Sequence, residues 1–184
     1  MRKVFYLLGE LTDEDVEWML AHGRKEHVDP GSVLIHEGRH PDALYVLLQG
    51  TLEVSFGAHG PHAPGPAPVR LGSGEVVGEM SFIDARPPSA TVTAVEPAVV
   101  LAVPRSALAA HLGEDDGFAA RFYRALAVFL SRRLRSTVSR LGYGAGKPLR
   151  EDIEYEDELD SHVLGNVHRA GLRFDRVLQR LLAQ

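Results

Sequence analysis

The stretch "ATVTAVEPAVVLAVP", residues 90–104, contains two short β-rich runs that meet at Glu96 and Pro97. Similar runs recur from Ser32 to Val103, and glycine, proline or aspartate turns separate them at nearly regular spacing. Many short strands punctuated in this way are typical of a sandwich, jelly roll or barrel. We therefore predict a mainly β fold of one of these three kinds. The other runs are SVLIHEG, ALYVLLQG, TLEVSFG and PVRLGSGEVVGE.

Helical patterns flank this β-rich region on both sides. Thr12 and Asp15 have the spacing of a capping box, which predicts a helix that starts there. Apolar residues recur at three- and four-residue steps from Phe118 to Leu141 and predict a long helix with one broad apolar face. Such a face commonly pairs with a partner helix, so we predict a homodimer through residues 114–141.

The chain thus divides into four parts, and a final amphipathic segment runs from about His162 to Leu182. The acidic run EDIEYEDELD precedes that segment. The predicted parts are an N-terminal helical segment (1–30), the β-rich domain (31–112), the long dimerisation helix (113–142), and an acidic linker with a C-terminal amphipathic helix (143–184).

The composition is that of an ordinary globular protein with a modest negative charge. Hydrophobic residues make up 45% of the 184 residues, charged residues 24%, and the formal net charge is -5. A core can form, and no overall basic field attracts nucleic acid. The lack of cysteine excludes disulfides and thiolate chemistry and fits a reducing compartment. No apolar run is long enough to cross a bilayer, so we expect a cytoplasmic protein with no membrane association.

The stretch "GEMSFIDARPPSATV", residues 78–92, has the features of a cradle for a small anion. Gly78 lets the chain approach a ligand closely, and backbone N–H groups of the short helical turn that follows can face an anion. Ser89 adds a hydroxyl donor near the closing strand. We call residues 78–92 the cassette.

The glycine turns, the run GEVVGEMSFID, the SATV strand and the helix motif LSRRLRSTVSRL together resemble the cyclic nucleotide-binding domain of catabolite-activator-type regulators and protein kinase A regulatory subunits. The resemblance covers roughly residues 5–141. It implies a mainly β fold with flanking helices, in which an antiparallel, jelly-roll-like β-roll is followed by a long C-terminal helix. The β-roll at 31–112 would bind the nucleotide in the cassette. It also implies that Glu79 accepts a hydrogen bond from a ribose hydroxyl, that Ser89 contacts the phosphate and that Thr137 touches the base. The candidate ligand-binding residues are Gly78, Glu79, Met80, Ser81, Arg86, Ser89, Ala90 and Thr137.

Pro88 departs from the family pattern, in which an arginine nine or ten positions after the cassette glutamate pairs with the phosphate. Proline has neither a charge nor an N–H group. The loss of a hydrogen bond to a charged group costs about 1.5–3 kcal/mol, or roughly ten- to a hundredfold in affinity. Arg86, two residues earlier, either replaces that contact or is a solvated turn arginine.

The sequence therefore predicts a regulatory sensor module, and it leaves one alternative open. The module binds a cyclic nucleotide, cyclic AMP or cyclic GMP, or a related small anion, and needs no cofactor. The alternative is a degenerate domain that no longer binds nucleotide and acts as a dimeric protein-interaction module with an unknown protein partner. Glu79 and Ser89 favour the first reading, and Pro88 favours the second.

Enzymes and nucleic-acid-binding proteins receive little support from the sequence. A metal-dependent jelly-roll enzyme needs clustered histidines, and His36, Glu37 and His40 are poorly spaced for a shared metal. We therefore expect no catalysis and no metal site. The basic block at 121–150 could contact phosphates, but a solvated helix face, or one covered by the acidic residues 151–160, explains it better. No second helix for DNA recognition follows the long helix, so we expect no nucleic-acid partner.

Overall fold

The computed structural model describes residues 4–57, 67–84, 86–140 and 161–182, so the predicted acidic run at 151–160 lies outside the described residues. The helices of the described part are α1 (Val4–Glu10), α2 (Asp13–His22), α3 (Arg105–Glu114), α4 (Asp116–Arg140) and α5 (Ser161–Leu182). Its strands are β1 (Arg24–Val28), β2 (Val33–Ile35), β3 (Ala43–Gln49), β4 (Leu52–Ser55), β5 (Val69–Leu71), β6 (Val76–Val77), β7 (Thr91–Ala94) and β8 (Ala98–Pro104).

The strands of this described part form two antiparallel four-stranded sheets. Their orders are β1–β8–β3–β6 and β2–β7–β4–β5. The consecutive strands β7 and β8 belong to different sheets, so the short connection at Glu96 and Pro97 joins the two layers of the roll. The predicted antiparallel β-roll with flanking helices is confirmed.

Strand β1 corrects the predicted boundary at residue 30, which assigned this segment to the N-terminal helical part. It pairs along its whole length with β8, from Arg24 opposite Ala102 to Val28 opposite Ala98. The roll therefore begins at Arg24. None of the β1 side chains is fully buried, and an edge strand of this kind lacks the apolar alternation that marks a strand in a sequence.

Strand β3 separates two hydrophobic clusters, because successive side chains of a strand point to opposite faces. Its Val46 belongs to a cluster shared with the helices, which we call the helical core, whereas Leu47 belongs to a cluster inside the roll, the roll core. The helical core includes Val16, Leu44, Val46, Val103, Phe118, Phe122 and Phe174. The roll core comprises Ile35, Leu47, Leu52, Val54, Leu71, Val77, Val92, Ala94, Ala98 and Val100.

Helix α2 starts with the predicted capping box. The Thr12 amide donates to Asp15 Oδ2 at 2.7 Å, and the Asp15 amide donates to Thr12 Oγ1 at 3.2 Å. Asp15 also accepts two hydrogen bonds of 2.7 Å from Arg121 in α4. Burial by itself raises the pKa of Asp15, but the hydrogen bonds from Arg121 and Thr12 outweigh it and hold that pKa below its usual range. The start of α2 therefore also anchors α4.

Helix α5 packs along α1 and closes the helical core with the fully buried Phe174. Arg173, one residue earlier, donates to the carbonyl oxygens of Leu8 (2.7 Å) and Leu11 (2.5 Å) at the end of α1. The same guanidinium donates to Asp13 at 2.5 Å, in the first turn of α2. One arginine thus satisfies carbonyls that a helix end leaves without partners and joins three helices. The predicted amphipathic segment is this helix.

Helix α4 lies within the predicted long helix of residues 113–142. Its buried face carries Phe122, whereas Tyr123 and Leu134 are exposed. Two arginines of the predicted basic block pair inside the chain: Arg121 with Asp15, as described above, and Arg124 with Glu10 of α1, at 3.0 Å. Among the helices of the described part, none combines the length and the apolar character that a membrane span requires.

Candidate ligand-binding cavity

A cavity of about 300 Å³ lies between the roll core and the cassette. That volume falls at the lower end of the range for small-molecule sites. Apart from residues 78–90, the lining is apolar and comes mainly from strands that are far apart in sequence. This apolar wall consists of Ile35, Pro41, Val54, Phe56, Leu71, Val76, Val77 and Val92.

Gly78 allows the chain to turn into the cavity. Its φ of 88° lies in the left-handed region, and a Cβ at this position would come within 2.8 Å of the Ala43 carbonyl oxygen. Only glycine fits both requirements without strain. The 3₁₀ turn Glu79–Phe82 follows directly, as the sequence predicts for a short helical turn.

The turn places the Glu79 side chain at the cavity while leaving it only 3% exposed. The Ser81 hydroxyl donates to the Gly78 carbonyl at 2.8 Å, so it closes the turn. Met80 lines the cavity but is half exposed. A buried carboxylate among apolar walls is suited to accept a hydrogen bond from a ligand hydroxyl, and it disfavours an anion next to it.

The rim of the cavity is formed by the second half of the cassette. Arg86 and Ser89 are exposed there, and Ala90 is half-buried. The Arg86 amide donates to Asp84 Oδ1 at 3.3 Å, and the Pro88 carbonyl accepts a hydrogen bond of 2.8 Å from the Gly38 amide. The candidate residues of the cassette thus lie around a single cavity.

The predicted set of ligand-binding residues and the observed cavity lining differ in two respects. Thr137 lies in α4, and its side chain is outside the described residues. Asp84 lines the cavity although the sequence did not single it out, and so does the apolar wall. The alternation of Leu52 and Val54 in β4, continued by Phe56 just after the strand, indicates a shared face. The sequence pattern does not show that this face borders an empty space.

The suggested metal ligands do not converge. Glu37 accepts a hydrogen bond of 2.9 Å from the Gly57 amide, and His36 and His40 border a separate polar groove. Across residues 4–57, 67–84, 86–140 and 161–182, no group of three or more histidine, aspartate or glutamate side chains could hold a metal ion.

The cassette contacts the helices through its 3₁₀ turn. The Phe82 ring meets the Phe122 ring of α4 edge-on, with the ring centroids 5.9 Å apart. Arg105, the first residue of α3, donates to the Ser81 carbonyl at 3.2 Å, and its guanidinium lies 5.9 Å from the centre of the Phe82 ring. The turn therefore contacts both α3 and α4 directly.

Comparison with known proteins agrees with this geometry. Residues 25–115 match the family model of the cyclic nucleotide-binding domain. The N-terminal domain of a transcriptional regulator from Streptomyces coelicolor A3(2) is 29% identical, with 77% of this chain and 95% of that chain covered and a TM-score of 0.57. No curated protein matches the chain in sequence.

Two further solved structures share the fold. A cyclic nucleotide-binding domain from Methylobacillus flagellatus KT is 23% identical, with 79% of this chain and 84% of that chain covered and a TM-score of 0.65. The catabolite activator protein of Thermus thermophilus is 25% identical, with 97% of this chain and 87% of that chain covered and a TM-score of 0.57.

Proposed function

The chain belongs to the cyclic nucleotide-binding domain family through residues 25–115, and on that premise we propose that it is a regulatory sensor module. Its ligand is a cyclic nucleotide, cyclic AMP or cyclic GMP, or a related small anion, bound in the cavity at the cassette. The observation that carries this proposal is the cavity of about 300 Å³ with the buried carboxylate of Glu79 at its wall. The module acts by binding, without catalysis, in the cytoplasm.

The ligand and Glu79 are chemically matched. A 3′,5′-cyclic phosphate leaves the ribose 2′-hydroxyl free, and that hydroxyl can donate to a carboxylate. The apolar wall, which includes Val54, Phe56 and Leu71, suits the flat face of a base. The phosphate lies toward the rim, away from Glu79, because like charges repel.

Binding is transmitted from the 3₁₀ turn to the long helix. A ligand that orders the cassette shifts Phe82, which contacts Phe122 of α4. Such a ligand favours one packing of α4 only if it binds that state more tightly than the other. The regulatory output is therefore a change in α4, read by a protein partner that the sequence does not identify.

In this proposal the protein is a homodimer through residues 114–141. Tyr123, Ala127, Leu130 and Leu134 follow a four-three-four spacing along α4, as in the apolar seam of a coiled coil. Tyr123 is 43% exposed and Leu134 is 63% exposed, although both are large and apolar. A second copy of α4 is the occupant with a matching seam.

Sedimentation velocity tests the dimer. Leu134→Asp places a charge in the seam and should yield a monomer, whereas Leu172→Asp, at a comparably exposed site on α5, should leave the dimer intact. A wild-type chain that sediments as a monomer at high concentration would contradict this part of the proposal.

Nucleic acid is not among the proposed partners. Within the described residues, Arg121 and Arg124 of the basic block are engaged by Asp15 and Glu10. Those two arginines are therefore committed to holding the helices together rather than to binding phosphates.

Isothermal titration calorimetry with cyclic AMP and cyclic GMP tests the ligand. The wild type should bind at least one of the two, and Glu79→Gln should weaken binding about tenfold, because a neutral amide oxygen accepts a weaker hydrogen bond from the hydroxyl than a carboxylate does. Glu53→Gln, on β4 outside the cavity lining, is the matched control and should bind like the wild type.

The second candidate function is a degenerate protein-interaction module, and Pro88 is the residue that favours it. Proline at this position removes both a charge and an N–H donor from the cassette. Absence of binding heat with either nucleotide at millimolar concentration would support this second candidate and contradict a cyclic nucleotide as the ligand of the sensor.

A further inference from the structure

The charged side chains around the cavity are unevenly distributed. Among the described residues that line it, Glu79 and Asp84 carry carboxylates, and Arg86 is the one cation. Glu79 is buried, whereas Arg86 is exposed at the rim. Among these lining residues, Arg86 is therefore the side chain that can attract an anionic ligand, so the affinity for such a ligand should depend on Arg86.

The backbone that carries Arg86 is restrained on both sides. Its amide donates to Asp84 Oδ1, and the carbonyl of Pro88 accepts from the Gly38 amide. Proline fixes φ at about −65° and restricts the residue before it to extended conformations. Because Pro87 and Pro88 follow Arg86 directly, they limit the backbone conformations on the C-terminal side of this residue. A restrained segment loses less conformational freedom when a ligand binds.

The Arg86 guanidinium is also available to a ligand. It makes no hydrogen bond or ion pair with any other described residue. Other arginines, such as Arg121 and Arg173, are each held by a carboxylate. A guanidinium can donate two parallel hydrogen bonds to a phosphate, which makes arginine well suited to this contact.

We propose that Arg86 makes the cationic contact with the anionic group of the ligand, from the rim of the cavity, in a cassette where position 88 is a proline. This inference rests on the proposed function, because it names the residue of that site that binds the charge. It also predicts that Arg86 distinguishes a cyclic nucleotide from adenosine, which has the same base and ribose as cyclic AMP but no phosphate.

Calorimetry with cyclic AMP, cyclic GMP and adenosine tests the proposal on the full chain. Arg86→Ala should weaken the binding of cyclic nucleotide about ten- to a hundredfold and leave the affinity for adenosine unchanged. The affinity of Arg86→Lys for cyclic nucleotide should lie between those of the wild type and Arg86→Ala, since an ammonium group keeps the charge but lacks the planar guanidinium. Arg39→Ala is the control for net charge, because Arg39 is exposed but lies outside the cavity lining, and it should bind like the wild type.

The possible failures are distinguishable. Cyclic nucleotide affinity that is the same in Arg86→Ala and the wild type overturns the inference and leaves the proposed function intact. An equal loss of affinity for adenosine also overturns it, because the substitution then acts on the shape of the cavity. A wild type that binds neither nucleotide overturns the proposed function and this inference together. A melting temperature for Arg86→Ala equal to that of the wild type confirms that each comparison is made between folded proteins.

Discussion

The helical core and the roll core lie on opposite faces of the same β3 strand, yet they are packed differently. The helical core contains the stacked rings of Phe118 and Phe122 and an edge-on contact between Phe5 and Phe174. A gap among its helices measures about 10 Å³, close to the least that holds one water molecule. The roll core is aliphatic and borders a cavity of about 300 Å³.

This difference separates stability from binding. Protein interiors are normally close-packed, and an empty volume forfeits contacts that would stabilise the fold. The helical core follows that rule and contains residues of α1, α4 and α5. The roll leaves room at its cassette end, where we propose that the ligand supplies the missing contacts. Substitutions on the two faces should therefore have opposite consequences for stability and binding.

Phe174→Ala should have the largest effect on the helical core. Removal of a fully buried phenylalanine costs about 3–5 kcal/mol of unfolding free energy, through lost burial and the cavity left behind. Urea unfolding measures this loss. Leu172→Ala, at a side chain 57% exposed on the same helix, should change stability by less than about 0.5 kcal/mol. Equal effects of the two substitutions would mean that α5 is not part of the core in solution.

Asp15→Asn should have the next largest effect, because it removes the charge that holds Arg121. We expect a loss of about 2 kcal/mol, less than for a fully buried pair since the Arg121 side chain is 34% exposed and can be hydrated. Glu14→Gln removes an acid from the same helical turn without breaking this pair and should cost far less.

The Asp15 effect should also depend on pH. The folded-state pKa of Asp15 is below its unfolded value of about 3.9, so the stabilisation is fully present above that value and is lost as pH falls through the folded-state pKa. The stability difference between wild type and Asp15→Asn should therefore shrink on acidification below about pH 4. A difference that stays constant down to pH 2 would show that the lost charge is not its cause.

Gly78→Ala tests the entrance of the cassette. A side chain at positive φ, with its Cβ 2.8 Å from the Ala43 carbonyl oxygen, should cost about 1–2 kcal/mol of stability and weaken nucleotide binding by displacing Glu79. Gly72→Ala is the control, since no atom lies within 4 Å of a Cβ there. A nucleotide affinity of Gly78→Ala equal to that of the wild type would show that the turn does not contribute to binding.

The smallest effect on stability is expected for one methylene added beside the cavity. Val92→Leu, in the cavity wall, should cost less than about 1 kcal/mol, whereas Val103→Leu, in the filled helical core, should cost about 1–3 kcal/mol. Val92→Leu should nevertheless weaken nucleotide binding, because it occupies ligand space. If thermal unfolding shows equal costs, the two cores are packed alike, and the contrast between them is wrong.

The sequence predicts well those features that depend on neighbours in the chain. The capping box of Thr12 and Asp15, the turn at Gly78 and the amphipathic pattern of α5 each arise within a few residues, and each lies in the structure where the pattern indicates. Strand β1 is the exception, since its five residues show no burial period and are defined only by pairing with β8. Local patterns report backbone preference and apolar periodicity, and an edge strand has little of either.

By itself, then, the sequence determined the β-rich region, the helices that flank it and the glycine turn that opens the cassette, because capping, turn chemistry and hydrophobic period are local properties. The choice of a β-roll among the mainly β folds came from the resemblance to a family. Only the tertiary structure decided that Arg121 binds Asp15 and that Arg173 joins α5 to the ends of α1 and α2, since these partners are more than a hundred residues apart. It also decided that apolar side chains from five strands surround an open volume in front of Glu79. No single stretch of sequence specifies the cavity, because it arises where strands that are distant along the chain meet without filling the gap between them.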